Sequence, residues 1–317
     1  MLLDSRHALS AQGAGARMAK THGNDFLLSL RTAMNMESGQ LLRFEIPVRS
    51  RTLWLSPVWA VLCGLVASSA FVWTGRDVLI AALAVVIADG AWATQWWGLV
   101  ETDWRQLFAN WNTILVERST SSLALRGSPA DRSQRTLARL RAWWQAGGRE
   151  QGGTPLFSAF AALALGVLLS AVIGGQALAL TLAAFAVTQI ALILRLHGRA
   201  INWLYGFVAI GFPWLLGHVV FGEITWLSAL VALIFSLAYA AMLDLAQGAS
   251  ATRWWLLTQL ALVMVLIVLQ QPIAVVALIS LLVAQTLLAT ALHSLDFARS
   301  AQWWLMLAML VVALGIR

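Results

Sequence analysis

The chain has 317 residues, 60% of them hydrophobic and 11% charged, with a net charge of +7. Soluble domains carry roughly 25% charged residues, so a water-soluble fold is excluded and lipid is the natural solvent for this surface. The positive excess is assigned below to membrane topology, which leaves no need for a nucleic-acid partner.

Inside a bilayer the backbone must satisfy its own hydrogen bonds, which admits only helices or a closed barrel. The apolar runs here are roughly 17–23 residues long, far beyond the ~10-residue alternating strands of a barrel. The expected fold is therefore an all-α membrane protein. Residues 1–48 come first as a polar, basic arm, expected to be disordered or partner-bound. This arm has no apolar core of the length a cleavable signal peptide requires. Residues 49–317 form the membrane domain. About nine transmembrane spans are expected, at 52–73, 78–100, 155–173, 177–194, 202–220, 224–244, 254–270, 273–292 and 301–316, with eight or ten as the neighbouring counts. The lone cysteine, Cys63, lies in the first run and has no internal disulfide partner.

Between the second and third spans lies the longest loop, 101–154. Within it, 131–146 reads as an interfacial amphipathic helix, with Leu137, Leu140, Trp143 and Trp144 interleaved by Arg132, Arg135, Arg139 and Arg141. Placing the N-terminus in the cytoplasm puts 19 of the 21 Lys and Arg residues on the cytoplasmic side, leaving only Arg76 and Arg317 outside. That is the asymmetry of the positive-inside rule, and it sets the expected orientation. Trp54, Trp96, Trp97, Trp104, Trp203, Trp226, Trp254, Trp255, Trp303 and Trp304 fall near span ends. They fit an interfacial aromatic belt, or surfaces on which a pigment stacks.

Individual side chains stand out against this apolar background. Asp89 lies inside the second span, where an ionisable group is costly and faces a bundle interior or cavity. It is either a helix-contact residue or a polar anchor for a ligand. His197, His218 and His293 lie near span ends. Each is either an interfacial capping residue or a neutral imidazole able to bind the magnesium of a chlorin. Arg118, Arg126, Arg195 and Arg199 fit loop charge or a grip on phosphate or carboxylate.

Three segments carry a family resemblance. They are LWLSPVWAVLCGLVASS in the first span, INWLYGFVAIGFPWLLGHVVFG in the fifth and SAQWWLMLAMLVVALG at the end. They resemble the chlorophyll and bacteriochlorophyll synthase branch of the UbiA-type intramembrane prenyltransferases, across about residues 48–316. The resemblance implies a UbiA-like bundle of nine spans with the N-terminus inside.

The family's acidic motifs are the point of departure. Where the resemblance implies N-D-x-x-D-x-x-x-D, this chain has Thr102, Asp103, Gln106 and Asn110; where it implies R-P-I-P-S-G, only Arg118 and Ser122 match. The second motif, N-D-x-K-x-x-E-G-D, is reduced to Asp244, and the preceding stretch keeps Arg195 and Asn202. Those carboxylates would hold Mg²⁺ against a departing diphosphate, and two isolated aspartates are a poor cage for a hard octahedral ion. No catalytic or metal site is therefore expected, with Asp103, Arg118 and Asp244 as residual family positions.

Arg195, Asn202, His218, His197, His293 and Asp89 remain as ligand-binding candidates. The resemblance implies a non-catalytic accessory, assembly or pigment-binding subunit of a bacterial photosynthetic membrane complex. Its bound group would be bacteriochlorophyll, carotenoid, quinone or lipid, and its partners the lipid bilayer and other membrane proteins. The implied location is the bacterial inner membrane, cytoplasmic or photosynthetic. The alternative is a divergent active prenyltransferase that uses Mg²⁺ and a metal site rebuilt from Asp103, Asp244, Asp89 or Glu101. A transporter has less to support it, since no inverted repeat is visible.

Overall fold

The structure is a computed structural model and describes residues 57–105, 129–143, 154–247, 251–291 and 294–317. Most of these residues are helical, with no strand among them. Among the described residues, five helices are long and apolar enough to cross a membrane: Gly75–Glu101, Pro155–Ile173, Gly175–Leu196, Trp226–Ala246 and Asp296–Gly315. The chain is thus an all-α, multi-pass membrane protein embedded in a lipid bilayer. Pro57–Ala67, Thr252–Val268 and Pro272–Leu288 are shorter apolar helices.

Helix α1, Pro57–Ala67, opens on a proline whose missing N–H costs nothing in a first turn. It stops sooner than hydropathy suggests. The Ser68 hydroxyl donates to the Leu65 carbonyl at 2.7 Å, and Ser69 has φ 55°. Phe71, Val72 and Trp73, expected in the span, instead lie outside any helix. The Phe71 ring packs edge-on against Trp73 and Phe221, at 5.1 and 5.4 Å between centroids. Helix α2, Gly75–Glu101, starts three residues earlier than expected, because the Thr74 side chain caps it by accepting from the Asp77 N–H at 3.2 Å. Two stretches of α2 are wound as π-helix, Val86–Trp92 and Trp97–Glu101. Helix α3, Pro129–Trp143, is the amphipathic segment of the long loop. Its Leu137 and Leu140 are exposed, and Trp143 is buried.

Helices α4, Thr154–Ile173, and α5, Gly175–Leu196, are joined by Gly174 alone, whose φ of 152° suits a residue without Cβ. Helix α6 runs over 202–219, with a π-helical turn at Phe207–Gly211 between two α segments. Helix α7, Trp226–Ala246, is capped by Thr225, which accepts from the Ser228 N–H at 3.1 Å. Helices α8, Thr252–Val268, α9, Pro272–Ala291, and α10, Ser294–Gly315, complete the chain. The last begins seven residues before the expected 301, since Asp296 in its first turn is compatible with a helix start.

Helices α1 and α6 stand at the centre. Ala60, Cys63 and Ala67 of α1 face a core shared with α6, α7, α8, α9 and α10. Val61 and Leu65, on the other face of α1, join a second core with α2, α5 and α6. The α1–α6 crossing is closer than ordinary side chains allow. A Cβ on Gly64 would meet the Trp214 carbonyl, and one on Gly217 would meet the Val61 carbonyl. Association in lipid relies on such packing, because apolar side chains gain little by leaving apolar solvent. Position in the bundle follows burial. The most apolar part of α4 is 28% buried and peripheral, whereas that of α7 is 61% buried and central. Phe157, Phe160, Leu168 and Val172 of α4 are exposed, an apolar face suited to lipid tails.

Candidate functional site

Several polar residues gather at one end of the bundle, where α2, α5 and α7 finish and α6 begins. Glu101 is the last residue of α2 and Arg195 lies in the last turn of α5; their side chains form an ion pair at 2.8 Å. Both are partly exposed, so the pair is a modest contributor to stability. Its larger effect is local, since each charge cancels the other. Asn202 opens α6, and its amide donates to Asp244 Oδ1 at 2.6 Å and to Gln247 Oε1 at 3.3 Å. Asp244 is half-buried near the end of α7. Two of the expected ligand-binding residues, Arg195 and Asn202, are thus engaged with carboxylates of the chain itself.

Asp103 lies just beyond α2 and is exposed. No group of three or more His, Cys, Asp or Glu able to hold a metal occurs among the described residues. The donor set suits magnesium poorly. Asp244 is half-occupied by an amide and Glu101 by a guanidinium, whereas Mg²⁺ demands near-ideal octahedral oxygen ligands. Arg118, Arg126 and His293 lie outside the described residues. So do Gln106 and Asn110 of the first motif.

His197 caps α5, with Nδ1 2.7 Å from the Ile193 carbonyl. It is exposed, as the capping alternative expects. His218 lies at the opposite end, in the last turn of α6, and is 8% exposed. Its Nδ1 has no hydrogen-bond partner and is closed off. Asp89 is fully buried in the first π-helical stretch of α2, as expected for an intramembrane carboxyl facing the interior. π-helical turns often mark functional sites.

Several contributors were not foreseen. A run of aromatic rings leads inward from the polar end. Trp96 packs on Tyr205 at 5.1 Å, Tyr205 on Tyr239 at 6.1 Å, and farther along Trp92 on Phe212 at 6.3 Å. Trp96, Trp104 and Trp255 are therefore core residues and not parts of a belt, at 1%, 8% and 1% exposure. Trp203, Trp226 and Trp254 do remain exposed near helix ends, whereas Trp303 is exposed well inside α10. Glycine permits the aromatic layer: Gly206 and Gly211 of α6 lie against the Ser236 carbonyl and hydroxyl of α7. Buried glutamines Gln259, Gln285 and Gln302 lie on α8, α9 and α10, and the amides of the first two have no hydrogen-bond partner. A sequence signal existed for these, an amide inside an apolar run.

A cleft of about 410 Å³ opens between α2, α4 and α5 at the same end. Compared with known proteins, the chain matches no family model, no curated protein and no solved structure.

Proposed function

We propose that this chain is a non-catalytic relative of the chlorophyll and bacteriochlorophyll synthases, an accessory or pigment-binding subunit in a bacterial photosynthetic membrane. In this reading the rods α1, α2 and α4–α10 are nine spans, with the N-terminus and the polar end cytoplasmic. The support for orientation is the distribution of Lys and Arg. The support for the family is the resemblance of the first, fifth and ninth spans. One observation carries the loss of catalysis: Asp244 accepts from Asn202, and Glu101 pairs with Arg195. Carboxylates committed to neighbouring side chains at the bundle mouth do not gather divalent ions for a diphosphate leaving group. The aromatic run from Trp96 through Tyr205 to Tyr239 supports a ligand with a flat, conjugated ring.

The test is purification from native membranes in mild detergent, followed by absorption spectroscopy and mass spectrometry of what is retained. A bound bacteriochlorophyll, carotenoid or quinone, or subunits of a photosynthetic complex, is the expected result. Protein that carries none of these refutes the reading. A second arm incubates the protein with chlorophyllide, a prenyl diphosphate and Mg²⁺, and no turnover is expected. Turnover abolished by Asp103→Ala or Asp244→Ala would establish the active prenyltransferase in its place.

A further inference from the structure

We propose that the cleft between α2, α4 and α5 binds one anionic phospholipid, an acyl chain inside and its phosphate on Arg105. Among the described residues the cleft is lined by Leu99, Trp104, Arg105, Leu156, Leu192 and Leu196. Its volume of about 410 Å³ falls within the ~300–1,000 Å³ of small-ligand sites. The interior offers nothing to a polar ligand. Four of the six side chains are leucines, and the Trp104 indole N–H is already spent on the Leu99 carbonyl at 2.5 Å. An aliphatic chain loses no hydrogen bond on entering.

The mouth has the opposite chemistry. Arg105 is exposed, and one of its guanidinium nitrogens donates to the carbonyl of Leu196 at the end of α5. A guanidinium has five N–H donors in a rigid fork. A single bond therefore leaves donors for a phosphate. The surrounding charges favour an anion. Arg105 and Arg199 are exposed near this end along with Asp103, and Glu101 is already neutralised by Arg195. An arginine at a helix end above an apolar crevice matches the layered polarity of a phospholipid, with phosphate outside and hydrocarbon within. A zwitterionic lipid gains less here, because its ammonium meets the same cations.

Native mass spectrometry of the purified full chain, titrated with phosphatidylglycerol or with phosphatidylcholine of identical chains, tests this. One phosphatidylglycerol adduct is expected to survive activation that strips phosphatidylcholine. Arg105→Gln should lower its occupancy about tenfold, the worth of a charge-assisted bond, and Leu192→Phe should lower it by filling the cleft. Arg76→Gln, at the opposite end, should change nothing. Equal retention of the two lipids overturns the proposal, as does an adduct indifferent to Arg105→Gln in protein with an unchanged melting temperature. Diacylglycerol bound as well as phosphatidylglycerol also overturns it. The site does not depend on the pigment reading: an adduct on protein that carries no pigment leaves this inference standing and removes only that one.

Discussion

Asp244 is the residue on which the two functional readings part. As a metal ligand it needs its charge; as the acceptor for Asn202 at 2.6 Å it needs only an oxygen. Asp244→Asn keeps a carbonyl in place of the carboxylate, so thermal stability in detergent should change by less than about 1 kcal/mol. Asn202→Ala removes the donor and leaves a half-buried carboxylate without it. That loss should cost about 1–3 kcal/mol. Most of the cost should vanish when the partner is already Ala at position 244, a coupling read from a double-mutant cycle. If the two substitutions add, Asn202 and Asp244 act independently and their pairing contributes nothing. Some of this chemistry was legible from residue identity alone, since an Asp or Asn at the edge of an apolar run demands a partner. Which partner it finds was not legible. Gln247 and Asp244 reach Asn202 because α7 ends beside the start of α6, and that is a property of packing.

The elements were more legible than their ends. Hydropathy placed the third span at 155–173, and α4 covers Thr154–Ile173. It extended the first span to residue 73, because Phe71, Val72 and Trp73 are apolar. A helix stops for reasons of hydrogen bonding, and Ser68 and Ser69 stop this one at Ala67. The tryptophans show the same division. Trp254 and Trp255 are adjacent in sequence, yet one is 69% exposed and the other 1%, because helix rotation decides which faces the core. The α1–α6 crossing is where element packing is least tolerant. Gly64→Ala places a methyl against the Trp214 carbonyl, which neither helix can relieve without moving apart. A loss of about 1–3 kcal/mol is expected, the usual cost of overpacking. Gly75→Ala is the matched control, since a Cβ there meets nothing within 4 Å. At the start of α2 it should be neutral or slightly stabilising. Equal melting temperatures for the two variants would show that the crossing is looser than described.

At the scale of the whole molecule, charge and hydrophobicity describe one object from two sides. The helices bury apolar faces against one another, while the proposed nine-span arrangement would collect 19 of the 21 basic residues on one side. Crossing the bilayer centre costs a charged side chain several kcal/mol, so in that arrangement the charges would hold the bundle in one orientation. Cys63 makes the orientation measurable, because it is the sole cysteine and is buried. With Cys63 replaced by Ala, single cysteines introduced as Arg76→Cys and Arg199→Cys report on opposite sides. Both positions are exposed, at the start of α2 and just beyond α5. In intact cells a membrane-impermeant maleimide should label the protein carrying Arg76→Cys and spare the one carrying Arg199→Cys until the membrane is opened. The reverse pattern would invert the bundle and move the Asn202–Asp244 end, with its lipid cleft, to the outer face. Labelling of both from outside would break the nine-span count, since α2 to α5 would then no longer cross the membrane an odd number of times between those positions.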